Sequence, residues 1–211
     1  MPLSSLTASC IIKVRSRFYR NKGVFFMRKD FGVKSWFYPL PVLILGTYND
    51  DGSADAMNAA WGGLYDSDLV ELCLSAGHRT TVNLKKRGAF TVGFATADHV
   101  AAADYVGIVS ANQDPRKLEK SGYHAVPSQK VNAPILEELP VTLECEFVKT
   151  TEEGNVIGRI VNISVDEKVL AADGSLDMAK FRPISFEPAH NKYHVLGEVV
   201  GSAFQDGKAL T

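Results

Sequence analysis

The run Ser75-Ala76-Gly77-His78-Arg79-Thr80-Thr81-Val82-Asn83 sets a guanidinium beside two consecutive hydroxyls, where an extended segment gives way to a helical one. A helix start leaves its first N–H groups without intrahelical partners, and Arg offers a planar fork that matches an oxyanion. Arg79, Thr80 and Thr81 therefore suit a phosphate dianion. A Thr cap beside a solvated arginine would produce the same spacing. Upstream, Asn58-Ala59-Ala60-Trp61-Gly62-Gly63 sets an indole among small residues, where a planar ligand could approach the backbone closely. Core packing is the rival explanation for such an aromatic.

These groups need elements to hold them. Val42–Asn49 is apolar and rich in strand formers, Asn49-Asp50-Asp51-Gly52 supplies a turn, and 53–61 returns as a second extended segment, so the three predict a hairpin. A third strand is expected over 69–75. A short helix follows over 80–87, with Leu84 inward and Lys85, Lys86 and Arg87 set against its dipole, and then a strand over 89–95. The Ala-rich stretch 98–108 reads as a helix. A second helix is expected from Asp114 as N-cap through Pro115 to Lys120, closed by Gly122. Segment 140–150 alternates, placing Val141, Leu143, Cys145 and Phe147 against Thr142, Glu144 and Glu146, as a half-buried strand should. Glu152-Glu153-Gly154-Asn155 turns it into 156–165, where Ile157, Ile160 and Val161 are available for burial. Many short strands with a few helices between them make a mainly β fold with inserted helices, a barrel decorated at its openings.

Several classes of function fall away. With 23 basic and 24 acidic residues the chain lacks the positive field that nucleic-acid binding requires. Its longest apolar run, 39–48, is too short to span a bilayer. Cys10, Cys73 and Cys145 are odd in number and far apart, which supports neither a disulfide framework nor a zinc site and fits a reducing cytoplasm. Cys145 reads as core. No dinucleotide fingerprint, P-loop or Gly-x-Ser-x-Gly occurs, the acids of 49–52 lack calcium-loop spacing, and His190 and His194 find no third metal ligand. No metal site is expected, and no Ser, His and carboxylate set stands out. Residues 1–26 are read as a basic extension, with the folded domain over 27–211 and Met27 as the expected natural start.

Taken together, Pro41-Val42-Leu43-Ile44-Leu45-Gly46-Thr47, Ala59-Ala60-Trp61, Arg79-Thr80-Thr81-Val82-Asn83, Gly88-Ala89-Phe90-Thr91-Val92, Lys117-Leu118 with Gly122, Leu143-Glu144-Cys145 and Tyr193-His194-Val195-Leu196-Gly197-Glu198 resemble the flavin reductase-like, FMN-binding split-barrel family, and within it the flavoredoxin group. The resemblance covers nearly everything after Met27. It implies a Greek-key split barrel, a homodimer, and FMN as the cofactor that carries the redox chemistry, so that no catalytic side chain is needed. On that resemblance Arg79, Thr80 and Thr81, with Ser75 nearby, hold the FMN phosphate, and Asn58, Ala59, Ala60 and Trp61 line the ring. Lys117 reaches the negative end of the cofactor or, alternatively, is a solvated helix charge. Two departures stand out: Ala60 replaces a hydroxyl residue, and Asp55 an Asn, found in many relatives. The implied activity is NAD(P)H-dependent flavin reduction. An FMN electron carrier serving a redox partner protein and a non-catalytic FMN- or haem-binding barrel are the alternatives.

Overall fold

A computed structural model describes residues 16–21, 24–59 and 61–210, in two compact units, one ending at Trp36 and one running from Phe37 to the end of the chain. The first holds an antiparallel hairpin of β1 (Ser16–Asn21) and β2 (Val24–Lys29), followed by Phe31 and Trp36, whose rings lie 5.0 Å apart. Met27 falls inside β2, and most of the expected 1–26 extension lies outside the described residues.

The second unit begins with the short β3 (Leu40–Pro41) and the hairpin of β4 (Leu43–Tyr48) and β5 (Ala54–Ala59), then β6 (Gly62–Asp66) and β7 (Leu69–Leu72). Next come α1 (Arg79–Arg87), β8 (Ala89–Phe94), α2 (Val100–Ile108) and α3 (Lys117–Ser121). The chain continues through β9 (Ala125–Pro127), β10 (Pro134–Leu136), the long hairpin of β11 (Val141–Thr150) and β12 (Val156–Val165), α4 (Met178–Phe181), β13 (Ile184–Glu187) and β14 (Lys192–Val195). Seven strands pair antiparallel in the order β5-β4-β8-β11-β12-β7-β6, and a smaller sheet runs β14-β13-β3.

That seven-stranded sheet is curled into a split barrel, and Gly62 shows how tightly. On a flat sheet β4 and β6, five steps apart, would be separated by about 24 Å. A Cβ on Gly62 would instead lie 3.3 Å from Leu43 Cδ1 and 2.7 Å from Leu72 Cδ2, an approach that only glycine permits. The curl encloses Leu45, Leu72, Leu84, Phe90, Val92, Cys145 and Val156, all buried. A second apolar cluster, built from Val42, Ile44, Ala103, Val106, Tyr123 and Leu136, fills the space under α2. Cys145 is a core residue as expected, and burial pushes its thiol up to about 12.

Several sequence expectations shift. The third strand stops at Leu72 rather than at 75, which leaves 73–78 as the loop that feeds α1. The helix expected over 98–108 opens as a 3₁₀ turn at Ala97–His99 before α2 begins. Asp114 does not cap a helix directly; its carboxylate accepts from the N–H of Arg116 in a turn, and α3 starts only at Lys117. The half-buried reading of β11 is corrected, because Thr142 and Glu144 are both 2% exposed. The segment carrying β9 and β10 covers that face: Ser128 donates to the Glu144 carboxylate, which also accepts from Asn162 of β12 at 2.6 Å, and Thr91 donates to the Pro134 carbonyl at 2.6 Å. Val161, expected to be available for burial, is exposed.

Candidate functional site

Two recesses flank β5 where α2 packs across it. The narrower, about 130 Å³, is lined by Asn58 of β5, by His78, Arg79 and Thr80 at the start of α1, by 106–111 at the end of α2, and by Lys117 of α3. The wider, about 370 Å³, is lined by Val42, Asn58, Asp104, Gly107, Ile108, Phe186, Asn191 and Tyr193. Asn58, Gly107 and Ile108 belong to both walls, so the recesses adjoin. The Asn58 amide donates to the Ala103 carbonyl at 3.0 Å, which pins it to α2. Gly107 allows this contact, since a Cβ there would sit 3.1 Å from Asn58 Cβ. On the far side, Tyr193 donates to Asp104 at 2.7 Å, and its ring lies 5.8 Å from that of Phe186.

The narrow recess carries positive charge. Lys117 is 3% exposed and Asp55 2%, with Nζ and Oδ1 at 3.7 Å; the other carboxylate oxygen accepts the Thr80 hydroxyl at 2.6 Å. At 3.7 Å the ammonium is paired by charge but is too far for a hydrogen bond, and among the described residues its Nζ makes none. Burial lowers the pKa of Lys117, and the Asp55 carboxylate counteracts that shift. Arg79 is exposed at the rim, where Nε donates to Asn112 Oδ1 at 3.0 Å while the Asn112 amide donates to the Gly77 carbonyl at 3.2 Å. Helix α1 begins without a side-chain cap and without an acidic residue in its first turn. The Lys117 ammonium, a guanidinium and an uncapped helix start converge, a combination chemically suited to an anion.

The flavin reductase like domain model matches residues 35–186. The chain belongs to the flavin reductase-like family. Among solved structures similar to this family member is the flavoredoxin of Desulfovibrio vulgaris (Miyazaki F), 33% identical with a TM-score of 0.82 over 86% of this chain and 100% of that one. The flavoredoxin of Methanosarcina acetivorans is 26% identical, with a TM-score of 0.76 over 87% of this chain and 100% of that one. An FMN-binding domain of a flavin reductases-like enzyme from Shewanella baltica OS155 shares the fold at 18% identity, with a TM-score of 0.68 over 77% of this chain and 88% of that one.

Within this flavin reductase-like chain, four of the nine residues singled out in the sequence, Asn58, Arg79, Thr80 and Lys117, line the narrow recess together. The solvated alternative for Lys117 is overturned by its burial. Thr80 lines the recess, but its hydroxyl proton goes to Asp55. Thr81 is buried, and among the described residues its hydroxyl has no hydrogen-bond partner. Ser75 is exposed in the turn before α1, where its carbonyl accepts from the His78 N–H at 3.1 Å. The Ala59 side chain belongs to the core. Ala60 lies outside the described residues. Trp61 is 57% exposed at the foot of β6, which removes the core-packing alternative, but it lines neither recess.

Other site residues escaped the sequence reading altogether. Asp104, Gly107, Asn112, Phe186, Asn191 and Tyr193 reach the site through long-range packing. Only the tail motif around Tyr193 gave any hint of them. Among the described residues no cluster of His, Cys, Asp or Glu could hold a metal ion, and no helix is long and apolar enough to cross a membrane.

Proposed function

We propose that this family member is an FMN-dependent oxidoreductase, most simply an NAD(P)H:flavin reductase, with the flavin phosphate in the narrow recess and the ring beside Asn58 toward the wide one. The observation that carries the reading is Lys117, 3% exposed in the wall of the narrow recess, with its ammonium paired by charge to Asp55 at 3.7 Å. A counter-charge at that distance leaves the donors of the ammonium for an anion in the recess. The residues present fit a phosphate monoester. Lys117 supplies a point charge, Arg79 a guanidinium whose terminal nitrogens remain beside its bond to Asn112, and α1 its first N–H groups. The redox chemistry would be the flavin's, as hydride uptake at N5 from a reduced nicotinamide. The protein's part is to fix the phosphate, to hold the ring edge against the Asn58 wall and to keep aromatic surface at Phe186 and Tyr193 for a planar partner.

A homodimer belongs to the same reading. Pro41, Leu43, Leu64, Val70, Phe94 and Ile163 line an apolar recess of about 470 Å³, and Leu64 is 74% exposed. A second copy would bury this surface.

An FMN electron carrier that serves a protein partner is the second reading, and the 33% identity to a flavoredoxin favours it. Visible absorption of the untreated purified protein, followed by anaerobic addition of NADH or NADPH, separates the two. A flavin spectrum that bleaches rapidly supports the reductase. A flavin that bleaches only with a reduced partner protein supports the carrier, and a protein that neither carries nor binds flavin contradicts both.

A further inference from the structure

We infer that Asp55 is the positioning residue of the phosphate end: by holding the Lys117 ammonium charged and drawing the Thr80 hydroxyl to itself, it keeps flavin-phosphate affinity constant through neutral and mildly alkaline pH. The inference rests on the phosphate placement proposed above. It starts from an apparent contradiction, since a buried carboxylate beside an anion site should oppose the ligand. Asp55 is 2% exposed, its Oδ2 accepts from Thr80 at 2.6 Å and its Oδ1 lies 3.7 Å from Lys117 Nζ.

The geometry resolves the contradiction. A lysine buried without a counter-ion loses its proton easily, and a neutral amine cannot hold a phosphate. At 3.7 Å Asp55 supplies the counter-charge without taking any of the ammonium's hydrogen bonds, which stay available for the ligand. Thr80, with its proton committed to Asp55, presents only lone pairs to the recess and contributes no side-chain donor. The grip therefore falls on Lys117, Arg79 and backbone N–H groups.

Among the described residues, the charged and titratable groups around Lys117 are few. Strand β5 brings Asp55, the start of α1 brings His78 and Arg79, and 106–111 brings none. On α2, Asp104 is bonded to Tyr193 at the other recess. On α3 itself, Glu119 and Lys120 are exposed. Asp55 is thus the buried anion within reach.

The test is FMN fluorescence quenching from about pH 7, above the second phosphate ionisation, to about pH 9.5, with riboflavin as the ligand that lacks a phosphate. For the unaltered protein the FMN dissociation constant should change by less than about twofold across that range. Asp55→Asn keeps an acceptor for Thr80 but removes the charge, so the free variant must take up a proton to bind. Its dissociation constant should rise toward about tenfold per pH unit above the lowered lysine pKa. Adding Lys117→Arg to that variant, a cation that does not titrate in this range, should restore a flat profile. His78 is common to all three proteins and cancels in the comparison. An Asp55→Asn profile parallel to that of the unaltered protein overturns the inference. So does an unaltered protein whose own affinity falls about tenfold across the range, a result that needs no variant to fold. Equal affinity of the unaltered protein for FMN and riboflavin would instead refute the phosphate placement itself.

Discussion

Tyr193 gives its phenolic proton to Asp104 at 2.7 Å and so ties β14 to α2, two walls of the wide recess that lie 89 positions apart in sequence. Burial first, and then the bond and charge of Asp104, push the phenol up to about 12. A folded-state value above the ordinary tyrosine value of 10.0 means the contribution is fully present below pH 10 and disappears as pH rises toward 12. Tyr193→Phe should lower stability by about 1 kcal/mol at neutral pH. Urea denaturation at neutral and at strongly alkaline pH checks this, because the gap between the two proteins should close on the alkaline side. A gap that is constant with pH would mean that Tyr193 acts only through packing.

Arg79 stands at the rim, and its Nε is held by Asn112. Arg79→Ala should weaken FMN binding by about 1.5–3 kcal/mol, the scale of a hydrogen bond to a charged group. Riboflavin binding should be unchanged. Calorimetric titration with both ligands measures the two effects, and an unaltered FMN affinity removes Arg79 from the site.

Gly107 faces Asn58 across the wall shared by the two recesses, where an added Cβ would lie 3.1 Å from Asn58 Cβ. Gly107→Val should push Asn58 aside and reduce flavin affinity at least about tenfold, a loss of about 1.4 kcal/mol. The replacement of glycine inside α2 has a favourable backbone contribution that offsets part of the strain. Thermal melting should therefore change much less than flavin titration does. Unimpaired binding would place the ligand elsewhere.

The apolar face around Leu64 and Ile163 should be the contact between copies, and a charge placed there would be desolvated on association. Leu64→Asp together with Ile163→Glu should convert a dimer into a monomer by light scattering after size exclusion. A double variant that remains dimeric would move the interface to another surface.

Much of the fold was legible because its signals are local. Asn49-Asp50-Asp51-Gly52 marks one hairpin, and Glu152-Glu153-Gly154-Asn155 marks the next. Arg79-Thr80-Thr81 marked the start of α1 for the same reason. The inaccessible part was long-range. Glu144 reads as solvent-facing in an alternating strand, and only the return of Ser128 and its neighbours over that face reveals its burial. Asp55 stood out in the sequence only as a departure from the family pattern, and its role depends on α1 and α3 bringing Thr80 and Lys117 onto it. Lys117 left both readings open, since a short helix gives little periodicity to show which side faces inward. Trp61 was drawn toward the site by its small neighbours, of which Gly62 instead serves the curl of the sheet against Leu43 and Leu72.

The central claim is that a phosphate-bearing flavin is held by its anionic end among Lys117, Arg79 and the start of α1. Titrating the same preparation with FMN and with riboflavin at neutral pH tests it most directly. FMN should bind at least about a hundredfold more tightly, the equivalent of about 2.7 kcal/mol from the phosphate alone. Equal affinities, or no binding of either ligand, would contradict the claim.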